Sequence, residues 1–322
     1  MHPRERFLKV VAFLLAFAFA PLAWAQAWPE KPIRLIINTA AGGPVDQVAR
    51  IFAPQLGEAL GQPLVIEHRA GAGGNIGLEV VAKSAPDGHT LLHTSGSPIV
   101  VGPHLYKLNF DVGRDLVPVA PTVRATQFLV VRPDLPVKSV ADLIAFGRAN
   151  PGKLNFGSPG NGTVLHIYGE MLLRAAKIQA THVPYKGAAP ALAARRGGGL
   201  DFVFDPGGAK PHIKAGKLRL LAVVLGARSP SFPETPTMAE AGADVGADPP
   251  YGVYAPAGTP REIVTRLNRE IGRIMKTAGA RAALAALGPE PFTASPEEFA
   301  ALMQRDRERF GAFVREANIR AD

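Results

Sequence analysis

The chain has 322 residues, 20% charged and 47% apolar, enough for two ordinary domains with a real core, which excludes a disordered tail. Cysteine is absent, so a disulfide scaffold, a cysteine nucleophile, a thiolate metal site and a lipid-anchored N-terminal cysteine are excluded. The formal charge of +9 is scattered along the chain rather than interleaved with aromatics, which argues against a nucleic-acid footprint.

Arg4, Arg6 and Lys9 precede an apolar run from Val10 to Ala20, and Ala23-Trp24-Ala25 fits the small-x-small rule of signal peptidase. As a helix this run covers about half of a ~30 Å hydrocarbon core, so residues 1–25 read as a cleaved signal peptide rather than an anchor. The expectation is an exported, soluble, periplasmic protein, cleaved after Ala25 and starting at Gln26 with a net charge of +7.

Strand and helix signals then alternate. Ile33 to Asn38 reads as a first strand, followed by the turn Thr39-Ala40-Ala41-Gly42-Gly43. A helix begins at Pro44, with Asp46 in its first turn and a kink expected at Pro54. Leu64 to Glu67 is a strand, Asn75 to Ser84 a helix, Pro86-Asp87-Gly88 a turn and Thr90 to Thr94 a strand. A second group opens on Phe128-Leu129-Val130-Val131. Ser139 and Asp142 start a helix that reaches about Arg148. A strand at Leu154 to Phe156 leads into the glycine-rich loop 157–163, a helix over Val164 to Ala176, a strand at Thr181 to Pro184 and a helix over Ala188 to Arg196. Phe202-Val203-Phe204 and Leu218 to Leu225 are strands. Ser229 to Pro250, rich in Pro, Gly and Ala, is a connection. Tyr251 to Tyr254 is a strand, and helices follow at 260–276, 279–286 and 296–317. Two βα groups joined by a proline-rich return fit two α/β lobes, with lobe 1 taking 26–124 and 229–322 and lobe 2 taking 125–228.

Enzyme motifs find no support. Gly71-Ala72-Gly73-Gly74-Asn75-Ile76-Gly77 follows a strand and opens a helix, but its sixth position is Ile76 and no carboxylate closes the next strand to hold a ribose. It reads as a turn that needs small residues. No P-loop is present, and Phe156-Gly157-Ser158-Pro159-Gly160 lacks the leading glycine of a nucleophile elbow. The eight histidines include no HExxH and no close pair at metal-ligand spacing. No cofactor or metal is expected.

What remains is loop chemistry suited to an anion. Ala41-Gly42-Gly43 leads into one helix N-terminus and Ser158-Pro159-Gly160-Asn161-Gly162-Thr163 into another. Free backbone N–H groups and the helix dipole favour a carboxylate or phosphate there. The same residues are also the commonest helix caps.

The mature chain resembles the periplasmic substrate-binding proteins of tripartite tricarboxylate transporters, the Bug-type receptors. The stretches that carry the resemblance are Trp28-Pro29-Glu30-Lys31-Pro32-Ile33-Arg34-Leu35-Ile36, Ala41-Gly42-Gly43 with Asp46, Gly71 to Gly77 and Ala85-Pro86-Asp87-Gly88. Gly160-Asn161-Gly162-Thr163, His182-Val183-Pro184-Tyr185-Lys186-Gly187, 211–219, Ala255-Pro256-Ala257-Gly258-Thr259-Pro260 and Pro296-Glu297-Glu298-Phe299 continue it. The resemblance implies a two-lobed α/β periplasmic-binding-protein fold, type II-like, with a hinge between the lobes. It implies a monomeric receptor, not an enzyme, that closes over a small carboxylate ligand and delivers it to a membrane permease of one large and one small subunit. Carried over, the site comprises Ala41, Gly42, Gly43 and Asp46 from one lobe, and Ser158, Gly160, Asn161, Gly162, Thr163, Tyr185, Lys186 and Asp205 from the other. Asp46 and Asp205 are expected to orient loops, waters or ligand amines rather than to meet a carboxylate.

Four departures bear on the ligand. Asn38 and Thr39 stand where the family carries a proline and an aromatic, Pro44-Val45 replaces Gly-Thr, Pro159 replaces a serine, and Gly197-Gly198-Gly199 follows Arg195-Arg196. An exported hydrolase or transferase on the same scaffold, and a ligand sensor, stay open as alternatives.

Overall fold

The computed structural model describes residues 28–185, 188–196 and 199–320, so the expected signal peptide lies outside the described residues. In chain order the strands are β1 (Ile33–Ile37), β2 (Leu64–His68), β3 (Thr90–Thr94), β4 (Leu116–Arg124), β5 (Gln127–Val131) and β6 (Leu154–Ser158). Then come β7 (Ala180–Pro184), β8 (Phe202–Asp205), β9 (Arg219–Val224), β10 (Tyr251–Pro256) and β11 (Glu290–Pro291). Among the described residues the helices of five residues or more are α1 (Pro44–Leu60), α2 (Asn75–Ala82), α3 (Val140–Ala149), α4 (Val164–Ala176), α5 (Ala188–Arg196), α6 (Lys210–Lys214), α7 (Arg261–Met275), α8 (Ala278–Leu287) and α9 (Pro296–Glu316).

The strands assort into two sheets, ordered β11-β4-β10-β3-β1-β2 and β7-β6-β8-β5-β9. In the first, β1 runs parallel to β2 and β3, and β10 returns antiparallel between β3 and β4. In the second, β6 runs parallel to β7 and β8, and β5 lies antiparallel to β8 and β9. The chain passes from the first sheet to the second through Ala125 and Thr126 alone, and returns after β9 through the long segment that ends at β10. This two-lobed α/β architecture is the expected one.

Strand β4 has no signal in the sequence because Pro118 and Pro121 interrupt its apolar run. The ladder between β4 and β10 accommodates them by shifting register between Tyr251 and Gly252 and between Val253 and Tyr254, so the strand bulges where an N–H is missing. The proline-rich return is also more engaged than its composition suggests. Val223 N–H donates to Pro236 O at 3.0 Å and Met238 N–H to Val223 O at 2.9 Å, which ties 236–238 to the edge of the second sheet.

Helix α4 is the joint. Its Tyr168 ring is fully buried, with its centroid 5.7 Å from Phe204 of the second sheet and 6.2 Å from Phe310 of α9, which covers the first. One apolar cluster therefore runs from Leu78 and Leu92 in one lobe to Phe156 and Leu172 in the other. Gly169 makes the close approach possible, because a β-carbon there would collide with the Phe156 ring. A second cluster lies between α1, α7 and the outer face of the first sheet. In it Phe52 meets the His93 ring edge-on at 5.2 Å, and burial pushes His93 down to about 3. Truncating Phe52→Ala is expected to cost about 3–5 kcal/mol, read as a lower urea midpoint at unchanged denaturant slope.

Candidate functional site

Parallel strands put their carboxyl ends, and the loops that follow, on one edge of a sheet. In the first lobe β1 and β3 open into the 38–43 turn and into Ser95-Gly96-Ser97. In the second, β6 and β8 open into 158–163 and 206–209. The two edges meet at Gly162, whose φ of 70° only glycine adopts readily and whose missing β-carbon leaves room for Leu105 of the first lobe. The Gly71 to Gly77 turn is structural, as expected: Asn38 lies against Gly74 and Gly77, and its Nδ2 donates to Gly74 O at 3.4 Å.

Asp46 is buried to 1% and fully engaged. Its Oδ2 accepts from Gly42 N–H at 2.8 Å and from Arg50 Nε at 2.9 Å, while Oδ1 lies 2.9 Å from His68 Nε2. Burial raises its pKa, but Arg50, the Gly42 amide and His68 outweigh burial and hold it at about 2. Asp46 thus orients the Ala41–Gly43 turn at the N-terminus of α1. That helix has Gly43 as N-cap, without a side-chain cap, and Pro44 as its first residue.

The second loop is organised in the same way. The Ser158 hydroxyl, at 0% exposure, donates to Gly160 O at 3.0 Å, accepts from Gly160 N–H at 3.2 Å and lies 2.7 Å from His182 Nε2. His182 stacks on His166 at 3.9 Å and on Phe156 at 4.7 Å, and His166 Nδ1 accepts from Gly162 N–H at 3.1 Å. By distance Ser158 and His182 form a nucleophile–base pair. By burial and hydrogen bonding the serine clamps its own loop. Thr163 caps α4, accepting from His166 N–H at 3.3 Å and donating to Gly160 O at 2.8 Å. Asp205 accepts from Gly207 and Ala209 N–H at 2.9 and 2.6 Å, and burial pushes its pKa up. Tyr185 packs on the second sheet's own apolar cluster and bonds through its backbone to Ser158 O, while Lys186 lies outside the described residues.

Between the lobes lies a cavity of about 190 Å³. Ser95, Gly96 and Ser97 form its first-lobe wall, Thr163, Val164, Leu165 and Pro206 its second-lobe wall, and Gln127, Asp248, Pro249 and Tyr251 its base at the crossings. Of the eleven sequence-expected residues that are among the described ones, Thr163 lines it. The other ten do not, but the Ser158–Gly162 loop and Asp205 shape the backbone beside it. The Ser95-Gly96-Ser97 turn had a signal, a small polar run closing a strand next to β1. Asp248 had none, being one of four carboxylates in a Pro/Gly/Ala-rich segment, alongside Glu234, Glu240 and Asp244. A larger cavity of about 730 Å³ runs along α1 and the edge strand β2, away from both loops.

Backbone amides at a helix N-terminus, opening on a cleft between two α/β lobes, define a solute receptor. The chain belongs to the tripartite tricarboxylate transporter receptor family, whose model matches residues 48–319. It is 37% identical to the protein BugT of Bordetella pertussis over 322 residues, 98% of each chain. Among solved structures it is similar to an R. palustris protein with adipate, at 33% identity and a TM-score of 0.77, over 91% of this chain and 99% of that one. It is also similar to MatC from Rhodopseudomonas palustris with bound malate, at 32% identity and 0.73, over 89% and 100%. Proteins of this family are periplasmic. Among the described residues no helix is long and apolar enough to cross a membrane.

The Asp46 network predicts a signed pH effect. The folded pKa is depressed to about 2, so its contribution of about 2 kcal/mol is fully present above pH 4 and lost as pH falls through about 2. Asp46→Asn is expected to remove that amount at pH 7 and to unfold with the wild type near pH 2, as urea titrations at both pH values would record.

Proposed function

We propose that the chain is an exported, non-catalytic receptor that closes its two lobes on a small carboxylate and presents it to a membrane permease of one large and one small subunit. The first lobe is taken as 26–124 and 229–322, less the bridge at 236–238, and the second as 125–228. The protein acts as a monomer with its signal peptide removed after Ala25. The observation that carries this reading is the N-terminus of α4 at the interlobe cavity. Val164 and Leu165 line it, and among the described residues their N–H groups have no acceptor. Relatives solved with malate and with adipate support a carboxylate as the solute.

Magnitudes show why two lobes are needed. Two charge-assisted bonds at about 1.5–3 kcal/mol each fall short of the ~8 kcal/mol of a micromolar complex. Burying the solute between the walls must supply the rest, so closure depends on ligand. The buried Ser158, with its hydroxyl spent on the loop, supports capture without turnover. The Ala41–Gly43 turn, outside the cavity lining but at the same sheet edge as Ser95-Gly96-Ser97, joins the first-lobe wall on closure in this reading, with Asp46 and Asp205 as the groups that hold the loops.

Calorimetry against malate, succinate and adipate, with their neutral amides as controls, is expected to show binding of the acids alone. Equal binding of the amides would refute the anion claim. Thr163→Asp keeps a good helix cap but adds a negative charge at the cavity wall. It should weaken binding at least tenfold with the urea midpoint little changed. If Thr163→Asp and Gly43→Asp both bind like the wild type, the site lies elsewhere.

A further inference from the structure

The base of the same cavity carries the opposite chemistry from its α4 wall. Asp248 and Gln127 line it, 4% and 5% exposed, and Gln127 Oε1 is buried with no hydrogen-bond partner. The Asp248 carboxyl accepts from Tyr168 O–H at 2.9 Å. Two cations lie nearby, and neither makes a hydrogen bond to it. Arg309 donates to Val245 O at 2.8 Å, Ala247 O at 3.2 Å and Asp306 Oδ1 at 3.2 Å. The Arg124 guanidinium sits 4.2 Å over the Phe292 ring, with its buried Nε unpartnered, and pulls on Asp248 only through space. Among the described residues no ion pair reaches Asp248. A buried carboxyl with no ion pair, next to an unpartnered carbonyl, is costly unless something else completes it.

We propose that Asp248, with Gln127, receives a positively charged nitrogen of the solute, so the carboxylate held by this receptor is one that also carries an amino group. The inference rests on the carboxylate reading above and narrows it. Donors at α4 and acceptors at the base make the cavity bipolar, and its volume is that of about six waters at ~30 Å³ each, the size of a small amino acid. The groups facing Asp248 are Tyr168 on α4, Arg124 and Gln127 at the β4–β5 crossing, Tyr251 on β10, and Asp306 and Arg309 on α9. Burial, with Asp306 adding to it, lifts the empty-site carboxyl to about 7 against the opposing pull of Gln127, Tyr168 and Arg124. Binding of an ammonium requires the ionised form. Affinity for an amino solute is therefore full above pH 7 and falls by up to tenfold per unit below it.

The test is calorimetry on the mature protein with matched pairs, β-alanine against propionate and aspartate against succinate, with propylamine as a third probe. The amino member of at least one pair is expected to bind ten or more times tighter than its deaminated partner. Asp248→Asn, which keeps an acceptor for Tyr168, should erase that ratio, and so should lowering the pH of the wild type to 5. The inference is overturned if the deaminated partners bind as well or better. It is equally overturned if Asp248→Asn leaves the ratio intact, or if succinate binds more tightly as the pH falls, since Asp248 would then act as a proton donor to a second carboxylate. Propylamine binding as tightly as β-alanine would overturn the carboxylate reading and leave Asp248 in its role. No binding by any probe would overturn both.

Discussion

The burial of helix α4 between the two sheets is the constraint on which the rest depends. Its Tyr168 fills the joint between lobes, its Gly169 lets it sit on Phe156, and its first turn faces the cavity. An N-terminal turn in that position has N–H groups that the helix itself cannot satisfy. One element therefore both packs against the two sheets and carries unsatisfied donors at the cavity between them. Tyr168 extends this link, since its hydroxyl reaches Asp248 at the base of the same cavity.

The polar side chains of the two loops mostly bond to the loops themselves. Asp46 fixes Gly42, Ser158 fixes Gly160, Thr163 fixes Gly160 and His166, and Asp205 fixes Gly207 and Ala209. Each is buried or partly buried, so its ordering is settled on folding rather than on binding. In the reading proposed above these residues act without lining the cavity: they hold in place the backbone that would meet the solute. The stacked His166 and His182 belong to that scaffold as well, with Gly162 N–H and the Ser158 hydroxyl as their partners.

Much of this was legible in the sequence where a local rule governs. Thr90–Thr94, Val164–Ala176 and Ala188–Arg196 have the bounds that periodicity and capping give, because each is bracketed by turn residues and carries a clear apolar face. The two anion-suited loops were legible through glycine and Ser/Thr spacing. Strand β4 was not, because prolines that normally end a strand are absorbed here by bulges in a sheet that forms only with distant β10. The cavity base was not legible either. Asp248 is 80 residues from Tyr168, and whether a carboxylate in a proline-rich segment is solvated or buried is decided by tertiary contact alone.

The positive charge of the chain now has a structural account that bears on recognition. Arg148 donates to Ala176 O at the end of α4, Arg219 to Leu135 and Val137 O, Arg266 to Trp28 O, and Arg309 to Val245 and Ala247 O. Arg34 and Arg132 pair with Glu67 and Asp201. These guanidinium groups thus tie off carbonyls and carboxylates in the frame, and among the described residues no arginine lines the interlobe cavity. Capture by neutral amide dipoles has a consequence that an arginine clamp would not. On the proposed reading the site would hold an anion firmly only while the lobes exclude water, since dipoles are screened far more strongly once the cleft opens. Release then needs no competing ion, only opening, which suits a receptor that must hand its solute on.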